Sequence, residues 1–162
     1  MPKILILLAG QPTALVNAVA DGARSVRFSE VELRRVDQTE PATAAAIVQT
    51  LAGADEIVPY DAIIVTTSAE GALVSTLTDL LEQAAATAPP SAWQNKVGAA
   101  FAAEPSEAAV NVWPALRSLG DLGMLVVSPS GYDADAARAL GARVAQVVGW
   151  VTHARSHHHH AH

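Results

Sequence analysis

The sequence contains no cysteine, which excludes disulfide bonds, thiolate chemistry and metal sites with cysteine ligands. Aromatic residues are also rare, at 4%, while apolar residues reach 51%, so the core must be built largely from small aliphatic side chains. No apolar run reaches the roughly 18 residues that a membrane span needs. Basic residues are fewer than acidic ones, and the net charge of −6 argues against nucleic acid or an anionic membrane as a partner.

The length of 162 residues suits one domain with its own core. The high apolar content excludes disorder for most of the chain. Lys3 leads directly into a short strand-like segment, so a signal peptide is not expected and the expected location is the cytoplasm. We therefore expect a single domain over residues 1–152.

Five segments of strand length alternate with five segments of helical periodicity. The predicted strands are residues 3–9, 31–36, 60–67, 96–102 and 123–128. The first four predicted helices lie at 12–23, 42–52, 73–84 and 110–122, and the last one carries Val144, Val147, Val148 and Val151 on its inward face. The second strand, VELRRV, alternates apolar and charged residues, which is typical of an edge strand with one wet face. Alternation of this kind predicts an α/β fold, a three-layer α/β/α sandwich around a parallel sheet in the flavodoxin-like order 2-1-3-4-5.

The last ten residues, 153–162, carry all six histidines of the chain. We interpret this tail as lying outside the folded domain, either as an expression tag or its remnant, or as a disordered segment. The alternative is a genuine metal-binding tail with His157, His158, His159 and His160 as ligands. No metal site is predicted within the fold itself.

The loops that follow the first, third and fourth strands are the candidate binding site, since parallel sheets bind ligands at their carboxyl ends. The first loop, AGQPT (9–13), occupies the position of a phosphate loop, but Thr13 is its only hydroxyl and Pro12 lacks an N–H group. The candidate cofactor-binding residues are Gly10, Gln11, Thr13, Thr67, Ser68, Gly71 and Glu104. Each hydroxyl and carboxylate has an alternative interpretation, as a helix cap, a strand end or a helix-start residue.

Several segments, in their order and spacing, resemble one known family. They are KILILL, VADGA (19–23), VELRRV, YDAII (60–64), LLEQ (80–83), KVGAAF (96–101), LGMLVV (122–127) and ARALGARVAQVV (137–148). Together they resemble the tryptophan-repressor-binding-protein (WrbA) type of NAD(P)H:quinone oxidoreductase over about residues 3–150. The resemblance implies FMN at the carboxyl ends of the strands, two-electron transfer from NAD(P)H to quinones, and assembly into dimers or tetramers.

The binding loops depart from that family. The family's first loop is longer and richer in hydroxyls, and of its Thr-Pro-Thr-aromatic-Gly-Asn loop only Thr67 and Gly71 can be matched here. The loop at 102–109 has no glycine. We expect acidic residues and no Lys or Arg along this edge, the acidic residues being Asp37, Glu40, Glu70, Glu104, Glu107, Asp133 and Asp135.

The sequence therefore predicts a family member with weak or lost FMN binding that acts as a binding or assembly module. The alternative is an active FMN-dependent NAD(P)H:quinone oxidoreductase with divergent loops, in which NAD(P)H binds only if FMN does. We expect a homodimer or tetramer formed through the helices after the third and fourth strands, where residues 73–88 and Trp113 offer apolar surface.

Overall fold

A computed structural model describes residues 1–8, 12–36, 49–50, 53–68, 71–104 and 110–158 of the chain. Its strands form one sheet in the order β3-β2-β1-β4-β5-β6, with every neighbouring pair parallel. The strands are β1 (Lys3–Leu8), β2 (Glu30–Arg35), β3 (Gln49–Thr50), β4 (Ala62–Thr67), β5 (Val97–Ala102) and β6 (Leu125–Val127). The five predicted strands thus appear as β1, β2, β4, β5 and β6 in the predicted order 2-1-3-4-5, which is confirmed.

The two-residue strand β3 is a feature that the sequence analysis missed. Gln49 and Thr50 pair with Arg34 and Arg35 at the end of β2, on the side away from β1. The prediction of a helix over 42–52 is therefore wrong at these two positions, and its remaining residues lie outside the described part of the chain. Without β3, the outer edge of β2 would leave its backbone N–H and C=O groups unpaired. The pairing with β3 provides hydrogen-bond partners for the end of that edge.

Four α-helices occur within the described residues, and they cover both faces of the sheet. They are α1 (Ala14–Arg24), α2 (Gly71–Thr87), α3 (Val112–Asp121) and α4 (Ala134–His158). Helices α1 and α4 pack on the face that carries Ile4, Ile6 and Leu8 of β1. Helices α2 and α3, with a short 3₁₀ helix at Ala54–Ile57, pack on the face that carries Leu5 and Leu7. This alternation along β1 produces the predicted three-layer sandwich.

Two glycines bring α1 and α4 into backbone contact. A Cβ atom built on Gly22 of α1 would lie 2.0 Å from the carbonyl oxygen of Arg138 on α4. A Cβ atom built on Gly141 of α4 would lie 2.0 Å from the carbonyl oxygen of Val19 on α1. The close packing of these helices therefore depends on the missing side chain at both positions.

Two side chains at the amino edge of the sheet have shifted pKa values. Burial lowers the pKa of Lys96, whose Nζ donates hydrogen bonds of 2.7 Å and 2.5 Å to the carbonyl oxygens of Val58 and Tyr60. Burial, followed by a hydrogen bond to the Glu32 carboxylate, raises the pKa of the Tyr60 hydroxyl. Both groups join the starts of β4 and β5 to their neighbours, far from the carboxyl ends where ligands bind.

The structure differs from the sequence prediction at the carboxyl end of the last helix. Helix α4 does not end at residue 152 but continues to His158, with exposed side chains from His153 to His157. Trp113, which the sequence analysis expects to offer apolar surface for assembly, is 63% exposed. Trp150 is similarly exposed at 60%, whereas Trp93 is fully buried. No helix in the described ranges combines the length and apolarity that a membrane span requires.

Phe28 lies in the turn between α1 and β2 with a backbone φ of 66°, and its side chain is 76% exposed. The left-handed conformation costs an L-residue roughly 1–2 kcal/mol, and glycine avoids this cost but loses about 0.5–1 kcal/mol of chain entropy. We expect Phe28→Gly to raise the free energy of unfolding by about 0.5–1 kcal/mol in urea denaturation. Asn95→Gly is the matched control, because Asn95 has a φ of 70° but asparagine tolerates this conformation. Equal effects of the two substitutions would contradict the prediction.

Candidate functional site

The candidate site lies where β1, β4 and β5 end side by side at the carboxyl edge of the sheet. Connections from β1 and β4 leave the sheet on opposite faces here, which is the arrangement that opens a binding crevice in such folds. The structure brings together four of the candidate residues, because Thr13, Thr67, Ser68 and Glu104 all belong to these strand ends. Gly71 begins α2 just beyond, whereas Gly10 and Gln11 lie outside the described residues.

Thr13 caps the amino end of α1. Its hydroxyl oxygen accepts a hydrogen bond from the Val16 N–H at 3.3 Å, and the same hydroxyl donates to the Ala103 carbonyl at 2.5 Å. The helix-cap interpretation of Thr13 is thus confirmed, and the second bond fastens the start of α1 to the end of β5. A hydroxyl has a single proton to donate, and the Thr13 hydroxyl donates it to the Ala103 carbonyl oxygen and not to a ligand.

The hydroxyls at the end of β4 also bond within the protein. Thr66 donates to the Leu7 carbonyl at 2.8 Å, and Thr67 donates to the Phe101 carbonyl at 3.4 Å. Ser68 is buried, and its carbonyl accepts a hydrogen bond of 2.8 Å from the side-chain amide of Asn111. These bonds tie β4 to both neighbouring strands and to the segment that enters α3, so the strand end is held in place from three sides.

A small cavity of about 50 Å³, with a lining of both apolar and polar side chains, lies between the end of β4 and helices α2 and α3. Its polar lining consists of Thr66, Thr67, Ser68, Thr78, Asn111 and Ser118. A water molecule needs roughly 10–15 Å³ of such volume, so the cavity suits a few waters. Sites for cofactors and other small molecules usually occupy about 300–1,000 Å³, so this cavity by itself cannot enclose a cofactor.

Three of the acidic residues predicted for this edge are described by the structure, namely Glu104, Asp133 and Asp135, whereas Asp37, Glu40, Glu70 and Glu107 lie outside the described residues. Asp133 accepts a hydrogen bond of 2.8 Å from the Ala136 N–H, so it caps the start of α4. Asp135 lies 3.4 Å from the Arg138 guanidinium on the exposed side of the same helix. Glu104 follows β5 and is exposed to solvent. Asp133 is therefore a helix cap, whereas Glu104 presents an exposed carboxylate at this edge.

Arg35 corrects the expectation that no Lys or Arg lies along this edge. It is the last residue of β2, pairs with Leu8 at the end of β1, and is almost fully buried. The sequence contained a signal for this position, because period-two alternation places Arg35 on the same face as Val31 and Leu33. Both of these residues pack into the core beneath α1 and α4. The edge therefore carries a buried cation at β2 as well as the exposed carboxylate at Glu104.

The two tail histidines whose side chains the structure describes, His153 and His157, lie on the last turns of α4, at the end of that helix away from the candidate site. His157 belongs to the last turns of α4, as does the backbone of His158, while His159 and His160 lie outside the described residues. The Nε2 atoms of His153 and His157 are 3.0 Å apart. Within the described ranges, no group of three or more His, Cys, Asp and Glu side chains could hold a metal ion.

Three curated bacterial relatives share the name NAD(P)H dehydrogenase (quinone). The protein of Afipia carboxidovorans is 31% identical over 141 residues, which cover 78% of this chain and 70% of the relative. The protein of Bradyrhizobium diazoefficiens is 30% identical with the same coverage, and that of Nitrobacter winogradskyi is 33% identical over 118 residues. This chain belongs to the NAD(P)H dehydrogenase (quinone) family. The resemblance to flavodoxin-like oxidoreductases of the WrbA type is thereby confirmed.

Solved structures support the same fold for this member of the NAD(P)H dehydrogenase (quinone) family. A flavone reductase superposes with a TM-score of 0.62 at 17% identity, covering 94% of this chain and 65% of that chain. A short-chain flavodoxin associated with a bacterial microcompartment gives a TM-score of 0.54 at 14% identity, covering 91% and 95% of the two chains. No family model matches the chain.

This member of the NAD(P)H dehydrogenase (quinone) family is aligned with only part of its longer relatives. The matched region spans 70% of the Afipia relative, 59% of the Nitrobacter relative and 65% of the flavone reductase. The carboxyl edge of this chain must therefore be judged on its own residues.

Proposed function

We propose that this chain is a quinone-oxidoreductase family member that binds FMN weakly or not at all and serves as a binding or assembly module. The observation that carries the proposal is the bonding of Thr13. Its hydroxyl caps α1 and donates to the Ala103 carbonyl, so the hydroxyl at the phosphate-loop position is already engaged within the protein.

The described residues of the edge do not fit a flavin phosphate. A phosphate at a helix start needs several convergent N–H or O–H donors, and Pro12 supplies no N–H group. Thr67 is buried and donates to the Phe101 carbonyl, while Glu104 adds an exposed negative charge beside the same strand end. Arg35 provides a cation nearby, but it is held almost entirely out of solvent beneath the sheet edge.

The second candidate function is an active FMN-dependent NAD(P)H:quinone oxidoreductase. It is favoured by the names of the curated relatives, each an NAD(P)H dehydrogenase (quinone). In this case the loops after β1, β4 and β5 would hold the flavin, and NAD(P)H would bind only after FMN. Weak FMN binding and this alternative differ in one measurable property, the affinity for FMN.

The assembly role is part of the same proposal, as a cytoplasmic homodimer or tetramer that uses α2 and α3. It is supported by large apolar side chains on the surface at α3, since Val110 is 73% and Trp113 is 63% exposed. Aromatic side chains of this kind are enriched at the centres of protein interfaces. A multimer mass in light scattering that falls to the monomer mass in Trp113→Ser is the expected behaviour.

We expect titration with FMN at about 10 μM to leave the protein unsaturated, which corresponds to a binding free energy weaker than about −7 kcal/mol. The measurement is flavin fluorescence quenching, together with the absorbance of the purified protein near 450 nm, a wavelength at which flavins absorb. A flavodoxin apoprotein titrated in parallel controls for the quality of the FMN. Submicromolar affinity, or quinone-dependent NAD(P)H oxidation by the FMN-treated protein, would replace the proposal by the oxidoreductase alternative.

A further inference from the structure

Two histidines on the last turns of α4 face each other across one helical turn. The Nε2 atoms of His153 and His157 are 3.0 Å apart, and their ring planes are inclined at 80° with centroids separated by 4.4 Å. Both side chains are exposed to solvent. Residues four apart lie on the same side of a helix, so the backbone of α4 holds the two rings in this arrangement.

The distance between the two nitrogens is close to that of neighbouring ligands on one metal ion. With metal–nitrogen bonds of 2.0–2.1 Å, two nitrogens lie about 2.9 Å apart at a right angle and about 3.4 Å apart in a tetrahedron. The observed 3.0 Å is nearer to the first value. Right-angled nitrogen ligands are typical of tetragonal Cu²⁺ and Ni²⁺ sites, whereas Zn²⁺ prefers the tetrahedron.

We propose that His153 and His157 form a bidentate site for a divalent transition metal, with Cu²⁺ and Ni²⁺ preferred over Zn²⁺. A metal takes one Nε2 lone pair from each neutral ring, so each ring carries its proton on Nδ1 in the metal-bound form. A ring whose proton lies on Nε2 before binding moves it to Nδ1 by exchange with water, so no net proton is released. The inference does not depend on the proposed function at the carboxyl edge.

The surroundings of the pair determine how strongly a metal is held. No group of three potential ligands occurs within the described ranges, so water completes the coordination shell beside these two rings. His153 also lines an open groove of about 550 Å³ with Met1 and Arg27, and no acidic side chain lines that groove. A site with neutral ligands beside an arginine is expected to be reversible rather than permanent.

The test separates this helical pair from the run of histidines that follows it. The background protein is the full chain with the downstream histidines His158, His159, His160 and His162 replaced by asparagine. Calorimetric titration of this background with CuCl₂ and with NiCl₂ is expected to show one metal per chain. The electron paramagnetic resonance spectrum of the Cu²⁺ form is expected to show two equivalent imidazole nitrogens.

The matched control keeps the number of histidines and changes only their spacing. In the background protein, Thr152→His combined with His153→Thr places the two histidines five residues apart, on different sides of α4. We expect metal affinity to fall at least tenfold, because the second imidazole loses its high effective concentration. Circular dichroism shows whether the exchange leaves α4 folded, and His153→Ala is a second variant with the same expected loss. Equal affinity in the spacing control, or a single coordinated nitrogen, would overturn the proposal.

Discussion

Replacing Gly22 with alanine is expected to lower the free energy of unfolding by about 3 kcal/mol or more, and Gly141→Ala is expected to do the same. The added Cβ atom would lie 2.0 Å from a backbone carbonyl oxygen at each position, far inside van der Waals contact. The opposing atom belongs to a helix backbone, so α1 and α4 must separate over their whole length. Such a loss is a large fraction of the 5–15 kcal/mol that usually stabilises a domain.

The control for this prediction is Gly149→Ala, at a partly exposed position of α4 where no atom lies within 4 Å of the added Cβ. It is expected to stabilise the protein by up to about 1 kcal/mol, because alanine favours a helix more than glycine does. The double variant of Gly22 and Gly141 should cost less than the sum, because the helices separate only once. Urea denaturation followed by circular dichroism measures all four proteins. A cost below about 1 kcal/mol for Gly22→Ala would show that the helices do not approach this closely.

Restoring a longer Ser/Thr/Gly-rich loop between Leu8 and Leu15 is expected to strengthen FMN binding at least tenfold. Tenfold corresponds to about 1.4 kcal/mol, which one or two new hydrogen bonds to a charged phosphate can supply. Thr13 stays in the new loop, since it caps α1 and bonds to the Ala103 carbonyl. Removing negative charge through Glu70→Gln with Glu104→Gln is expected to change the affinity for FMN much less. These substitutions remove repulsion but add no hydrogen-bond donor in the loop that would hold the phosphate.

The control for the loop exchange is a loop of equal length made of alanine and proline, which adds chain but few donors. Fluorescence titration with FMN compares the natural chain, the two loop variants and the charge variant. If the charge variant binds more tightly than the Ser/Thr/Gly loop, the acidic edge is the main obstacle to FMN. If the alanine and proline loop binds equally well, loop length matters and hydroxyl donors do not.

The order of the sheet could be predicted from the sequence because it depends on strongly apolar segments. Strands β1, β4 and β5 have the sequences KILILL, AIIVTT and VGAAFA, and each is a nearly continuous buried run. The segment VELRRV, which alternates apolar and charged residues, lies in β2 to one side of these three strands. The strand Gln49–Thr50 could not be predicted, because two residues have no periodicity and pair only where β2 leaves an open edge. Trp113 fits the helical stripe of α3 by its spacing, but its ring faces solvent.

The position of the candidate site could be predicted from the sequence, but the hydrogen-bond partners of its residues could not. The strand ends place Thr13, Thr67, Ser68 and Glu104 together, as any parallel sheet of this order would. The partners of their polar groups, Ala103, Phe101 and Asn111, are distant in sequence and carry no motif. Similarly, His153 and His157 face each other only because α4 continues past residue 152. The polar residues that follow position 152 have no apolar periodicity from which this extension of the helix could be predicted.

The distribution of the three tryptophans determines what optical spectroscopy of this protein reports. Trp93 is buried in the core beneath α2 and α3, whereas Trp113 and Trp150 are mostly in solvent. In an isolated chain, only Trp93 moves from a fully buried to an aqueous environment on unfolding, and the two exposed indoles shift the emission maximum towards longer wavelength. In the proposed multimer, a partner chain covers Trp113 as well. The Arg143 guanidinium lies 5.5 Å from the centre of the Trp150 ring, so this indole makes a cation–π contact on the surface of α4. Tryptophan emission of an isolated chain is therefore a local probe of the sheet face that carries Trp93, and assembly of the chains would add a contribution from Trp113.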